Sequence, residues 1–160
     1  MNYKLVSILS LFGLAMSVAT VFWIPSNLEP VLWLLIFILC AYIIALKCSE
    51  KYFLNGFLVS IFNCVWIIAG HIIFYQTYLA NHQQEAEMMS KMPILEHSPR
   101  LLMLITGPII GIISGLILGL FAFIGSKIID KKLAKWSFLE ILSGLFLEEY
   151  SYQSNTWFRV

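Results

Sequence analysis

Four long apolar stretches, residues 5–24, 31–46, 52–80 and 101–129, contain a single Lys, Arg, Asp or Glu between them: Lys127, near the end of the last. Crossing a bilayer core takes about 20 residues of helix at about 1.5 Å each, with every backbone polar group bonded inside the segment. The second stretch reaches that length once Pro30 is taken as a first helical residue and Lys47-Cys48 extend its end. None of the four alternates with the period of a barrel strand. The expected fold is therefore an all-α membrane protein, a four-transmembrane-helix bundle with spans at about 5–24, 30–48, 52–79 and 101–127.

Composition agrees. The chain is 60% hydrophobic and 12% charged, against roughly 45–50% and 25% in soluble domains. A net charge of +1 offers no basic face for nucleic acid. Lys4 ahead of the first run, with Ser17-Val18-Ala19 inside it, also describes a signal peptide. The run continues through Phe22-Trp23-Ile24 to Pro25, which favours an uncleaved anchor. With the N-terminus inside, Lys4, Lys47, Lys51, Lys127, Lys131, Lys132 and Lys135 fall on the cytoplasmic side, and only Lys91 and Arg100 outside. The positive-inside bias thus places both termini in the cytoplasm.

Residues 1–132 are expected to form the transmembrane domain and 133–160 an amphipathic cytoplasmic tail. In the tail Phe138, Leu139, Ile141, Leu142, Leu145 and Phe146 share one side at helical pitch, opposite Ser137, Glu140, Ser143 and Glu148. This predicts a C-terminal amphipathic interfacial helix on the inner leaflet, with nearby lysines facing anionic headgroups.

Three patterns inside the spans point to close packing. Gly107, Gly111, Gly115 and Gly119 recur every four residues and line one slowly winding groove, a surface that lets a neighbouring backbone approach. Gly56, Ser60, Asn63, Cys64, His71 and Tyr78 share a face of the third run, and Ser10, Gly13, Ser17 and Thr20 form a small-residue seam on the first. Ser60, Asn63 and His71 lie too deep to face lipid unpaired. They read either as hydrogen-bonding glue between helices or as the wall of a polar cavity.

No catalytic motif is present, and Ser60, Cys64 and His71 are too spread along one helix to make a nucleophile and base. His82, Met88, Met89, Met92 and His97 are residue types that bind soft metals, but their spacing matches no ligand set, so no metal and no cofactor is assigned. Cys40, Cys48 and Cys64 read as small apolar packing residues.

The polar-dotted third run ending in Tyr75-Gln76-Thr77-Tyr78, then an external segment, then Gly107-Pro108-Ile109-Ile110-Gly111 closing on Lys127, resembles small four-pass bacterial membrane proteins grouped in families of unknown function. The resemblance covers about residues 1–132; the tail departs from it. It implies a bacterial cytoplasmic membrane location and no mechanism. Four-pass multidrug exporters resemble a pattern with a glutamate in the first span, which this chain lacks. The expected function is a non-enzymatic, helix-packing accessory protein whose partners are the lipid bilayer and a second copy or a larger membrane complex. The alternative is a small transporter or channel subunit working as an oligomer.

Overall fold

A computed structural model describes residues 1–90 and 99–129, with only the backbone described for 88–90 and 99. The described residues are helical throughout, joined by short turns: α1 (Tyr3–Leu9), α2 (Leu11–Phe22), α3 (Glu29–Lys47), α4 (Tyr52–Ile73), α5 (Tyr75–Asn81), α6 (Gln83–Ser90) and α7 (Pro99–Ile128). Four segments are long and apolar enough to cross a membrane: Tyr3–Phe22, Glu29–Lys47, Tyr52–Ile73 and Arg100–Ile128. Met1–Ser126 form one compact unit; of the second, Lys127–Val160, only residues 127–129 are described. The expected tail helix lies outside the described residues.

Two of the runs break where the sequence does not announce it. Ser10 interrupts the first, its hydroxyl donating to the Ser7 carbonyl at 2.8 Å, a back-bond that competes with the helical ladder. The Gly13 N–H then turns to the Ser10 carbonyl at 3.0 Å. The third run ends at Ile73 rather than near residue 79, and α5 restarts after Phe74 with Tyr75 and Tyr78 turned inward and buried. Capping is otherwise local. Asn2 accepts the Leu5 N–H, Pro30 occupies the first turn of α3, and Glu29 and Lys47 stand at the ends of α3 that the helix dipole favours.

α4 is the central helix. It contacts α1, α2 and α3, and its Gly56 lies against the α7 backbone at Leu118 and Gly119. The principal apolar core joins Val6 and Leu9 of α1, Cys40, Ala41 and Ile44 of α3, Val59 of α4 and Leu118 and Ala122 of α7. This core gathers the C-terminal half of α3. There Cys40, Ala41 and Ala45 are small enough for a close approach, whereas one and two turns earlier the same side of the helix carries the bulky Phe37 and Trp33. At the opposite end a second core joins Val21 of α2, Tyr75 and Tyr78 of α5 and Met103 of α7, and α3 contributes no buried residue to it.

The α3–α4 turn depends on Lys51, a non-glycine residue at φ 54°, in the left-handed region. The buried Asn55 amide donates to the Lys51 carbonyl at 2.9 Å, and its Oδ1 accepts the Asn2 N–H, tying the N-terminus to the turn. A left-handed conformation costs a side-chain-bearing residue about 1–2 kcal/mol. Lys51→Gly should therefore stabilise the protein by about 0.5–1 kcal/mol, after the glycine's larger unfolded-state freedom is subtracted. Thermal unfolding in detergent tests it, and a lower midpoint would show that the lysine side chain holds the turn.

Candidate functional site

Where α3 stands away from the bundle, it leaves a cleft of about 550 Å³ walled by α3, α4 and α7. Leu34 of α3 and Ile110 of α7 form part of its lining and are 50% and 63% exposed, so they stand at its mouth. The interior is mostly apolar, with Phe37, Ile67, Ile68 and Ile117 among its walls. Polar groups follow the α4 side: Ser60, Asn63 and His71, with Ser114 and Thr106 from α7 and Glu29 from the start of α3.

Most of these polar groups are committed within the protein. The Thr20 hydroxyl spends its one proton on the Met16 carbonyl at 2.8 Å, so His71 Nε2, 3.1 Å from Thr20 Oγ1, is the donor in that pair. The Ser114 hydroxyl donates to the Ile110 carbonyl at 2.8 Å, leaving Ser60 to donate to Ser114 Oγ at 2.8 Å. Thr106 donates to the Leu102 carbonyl, Cys64 Sγ to the Gly107 carbonyl, and Trp33 Nε1 to Glu29. Asn63 is the exception. Its Oδ1 accepts the Gly13 N–H at 3.2 Å, while its Nδ2 is buried without a partner among the described residues.

The polar face of the third run is thus divided between two neighbours. Gly56, Ser60 and Cys64 meet α7, while Asn63 and His71 meet α2. Gly107, Gly111, Gly115 and Gly119 all lie against α4, facing Ile68, Cys64, Phe57 and Phe53 in turn. The small-residue seam of α2 is occupied as well. Gly13 packs on Asn63, Ser17 on Gly70, and Thr20 on His71. Ser60, Cys64 and His71 each bond to a different partner: Ser114, the Gly107 carbonyl and Thr20.

His82, grouped in the sequence with the loop methionines, is 1% exposed. Tyr78 is sandwiched between the His71 and His82 rings at centroid distances of 4.0 and 4.2 Å, and His82 Nδ1 lies 3.0 Å from the Tyr78 carbonyl. The stack ties α5 to α4, the Asn81 amide donating to the Val21 carbonyl at 2.7 Å ties α5 to α2, and the Ser26–Glu85 bond ties α6 to the α2–α3 loop. Among the described residues no three His, Cys, Asp or Glu side chains converge as a metal site. The Met88 and Met89 side chains, Met92 and His97 lie outside what is described.

Sequence reasoning singled out none of the α3 wall, Glu29, Trp33, Leu34 and Phe37, nor Ser114 and the buried Asn55. The available signal was the change from bulky to small residues along the second run. No protein-family model, curated protein or solved structure matches the chain.

Proposed function

We propose that this is a multi-pass membrane protein that works by non-covalent binding, with the cleft between α3, α4 and α7 as its working surface. The cleft itself carries the reading: it is a ligand-sized, mostly apolar hollow with a few polar groups along one wall. Membrane insertion is supported by the outward faces of the long helices. Leu35, Ile38, Ile109 and Ile113 are each about half exposed, and a continuous apolar belt of that kind is stable in lipid and not in water. The lysine bias supports cytoplasmic termini, and the likeness to small four-pass proteins supports a bacterial cytoplasmic membrane. In that orientation the cleft occupies the outer half of the bilayer, and the core around Ile44, Val59 and Leu118 seals the inner half.

A purely helix-associating role has less support, because the glycine ladder that would have served a second copy is filled by α4. Transport remains a second reading, favoured by Ser60, Asn63 and His71 on the cleft wall. It requires the inner core to open.

Two measurements test the proposal. A cytoplasm-active reporter fused after Lys132 or inserted in the α3–α4 turn should be active, and one near Glu87 should report the outside. A photoreactive residue at Leu34, on the cleft lip, should capture a discrete adduct in native membranes, while the same residue at Leu35 captures bulk lipid. Opposite reporter signals at two of the three sites would overturn the orientation. Identical adducts at Leu34 and Leu35 would remove the cleft as the working surface.

A further inference from the structure

We infer that the cleft binds a neutral, membrane-dissolved amphiphile that places a hydrogen-bond acceptor, a carbonyl or its equivalent, against Asn63. The inference rests on the reading of the cleft as the working surface and names what occupies it. Size limits the candidates first. The α3 wall from Glu29 to Phe37 is two helical turns long, and a helix about 10 Å wide displaces roughly 400 Å³ per turn. A cleft of about 550 Å³ is too small for a partner helix along that wall, but it falls in the range of roughly 300–1,000 Å³ that holds small ligands.

Asn63 fixes the chemistry. It lies midway along α4, is 2% exposed, and forms part of the cleft wall. The Gly13 N–H can only donate, so the end of the amide it touches must be the oxygen. The end not held by α2 is therefore NH₂, a pure donor, and it has no partner among the described residues. A buried donor in an apolar medium is expensive to leave unmet, and a ligand acceptor relieves it. The Ser60 and Ser114 hydroxyl protons beside it are already spent inside the protein, and the one buried polar atom of the cleft wall left unmet among the described residues is this donor, which calls for an acceptor. No Lys or Arg lines the cleft to pair an anion, and the carboxyl that does line it, Glu29, already accepts the Trp33 Nε1 proton. Ile67, Ile68, Ile117 and Phe37 suit an apolar body. The exposed lips Leu34 and Ile110 continue the apolar outer surface, so entry is sideways from the membrane.

The full-length protein in nanodiscs, irradiated with para-octylbenzophenone, tests this. That ketone is neutral, apolar and photoreactive at its carbonyl. Adducts, located to single residues by fragmentation, should concentrate on Phe37, Ile67 and Ile110 and be scarce at Leu35 and Ile113. The carbonyl-free octyldiphenylmethane should compete roughly three- to tenfold less well than the unlabelled ketone, the range one hydrogen bond supplies. In Asn63→Leu that preference should vanish. Ile110→Trp changes an exposed lip without touching Asn63, so it should fold normally and block labelling. If monoolein, an uncharged ester lipid, also displaces the probe, the natural occupant is a lipid; if only ketones do, it is a membrane-dissolved solute. Equal competition by the carbonyl-free analogue, with labelling still confined to the cleft, would overturn the role of Asn63 and leave the cleft reading intact. Labelling spread evenly over the outward faces and unaffected by Ile110→Trp would overturn both.

Discussion

Replacing Gly56 or Gly119 by isoleucine is expected to destabilise the fold by about 3 kcal/mol, the upper end for overpacking. A Cβ at position 56 would lie 2.8 Å from the Leu118 carbonyl oxygen and 3.0 Å from Gly119 Cα. One at 119 would lie 2.9 Å from the Phe53 carbonyl oxygen. Both obstacles are backbone, and neither α4 nor α7 can move locally to make room. Higher up the ladder the obstacle is softer. A Cβ at Gly111 meets the Cys64 side chain at 2.8 Å, and one at Gly107 meets the flexible tip of Ile68. Gly107→Ile should therefore cost about 1 kcal/mol, with Gly111→Ile between the two extremes. Isoleucine's better helix propensity, worth less than about 1 kcal/mol, opposes all four changes without reversing the order. Thermal unfolding in detergent gives the series, and chemical crosslinking reads self-association alongside it. A Gly119→Ile protein that unfolds like the parent but no longer crosslinks would show that the ladder serves contacts between chains.

That ladder was plain in the sequence; what it packs on was not. Periodicity gives the direction in which a residue points from its helix axis, and so Gly111, Asn63 and Ser17 could each be assigned a face. It does not say which helix stands opposite. The division of the α4 polar face between α7 at Ser60 and Cys64 and α2 at Asn63 and His71 is a property of how three helices cross. The four long apolar helices were legible for a stronger reason. A run of twenty residues without charge has few structural solutions. Their interruptions at Ser10 and Phe74 were illegible because neither residue is a proline or a glycine, and Ser10 breaks the helix through a side-chain bond that serine makes only in some settings. The cleft was hidden for the opposite reason to the ladder. It is the space beside bulky Trp33 and Phe37 on the inner side of α3, and space has no residue of its own. His82 was grouped with the loop methionines by residue type, which says nothing of burial; its ring completes a buried stack with Tyr78 and His71.

The α2–α4 contact gives the second large effect, and it distinguishes two glycines that look alike in sequence. A Cβ on Gly13 would lie 2.5 Å from Asn63 Cα, 2.7 Å from its Oδ1 and 2.8 Å from its Cβ. A Cβ on Gly70 would collide with Ser17 Oγ, while the Ser17 Cβ and backbone carbonyl stay at 3.2 and 3.8 Å. Alanine raises helix propensity over glycine by about 1 kcal/mol, so propensity alone predicts that both substitutions stabilise. Packing predicts the reverse for both: Gly13→Ala should cost about 3 kcal/mol and Gly70→Ala about 2 kcal/mol. The two then diverge when the partner is trimmed. Ser17→Ala removes the atom that Gly70→Ala strikes and leaves a Cβ contact that a shift of a few tenths of an ångström relieves, so the double variant should regain most of the loss. Asn63→Ala removes Oδ1 but leaves the Cα and Cβ that Gly13→Ala strikes, and it also unhooks the bond to the Gly13 N–H; no rescue is expected. A double-mutant cycle on thermal stability should therefore give strong favourable coupling for Gly70 with Ser17, within the roughly 0.5–3 kcal/mol seen for residues in contact, and little recovery for Gly13 with Asn63. Recovery in the Gly13–Asn63 pair would mean that a movable side chain, not the α4 backbone, sets the distance between the two helices. The wall that holds the Asn63 amide at the cleft would then be adjustable rather than fixed.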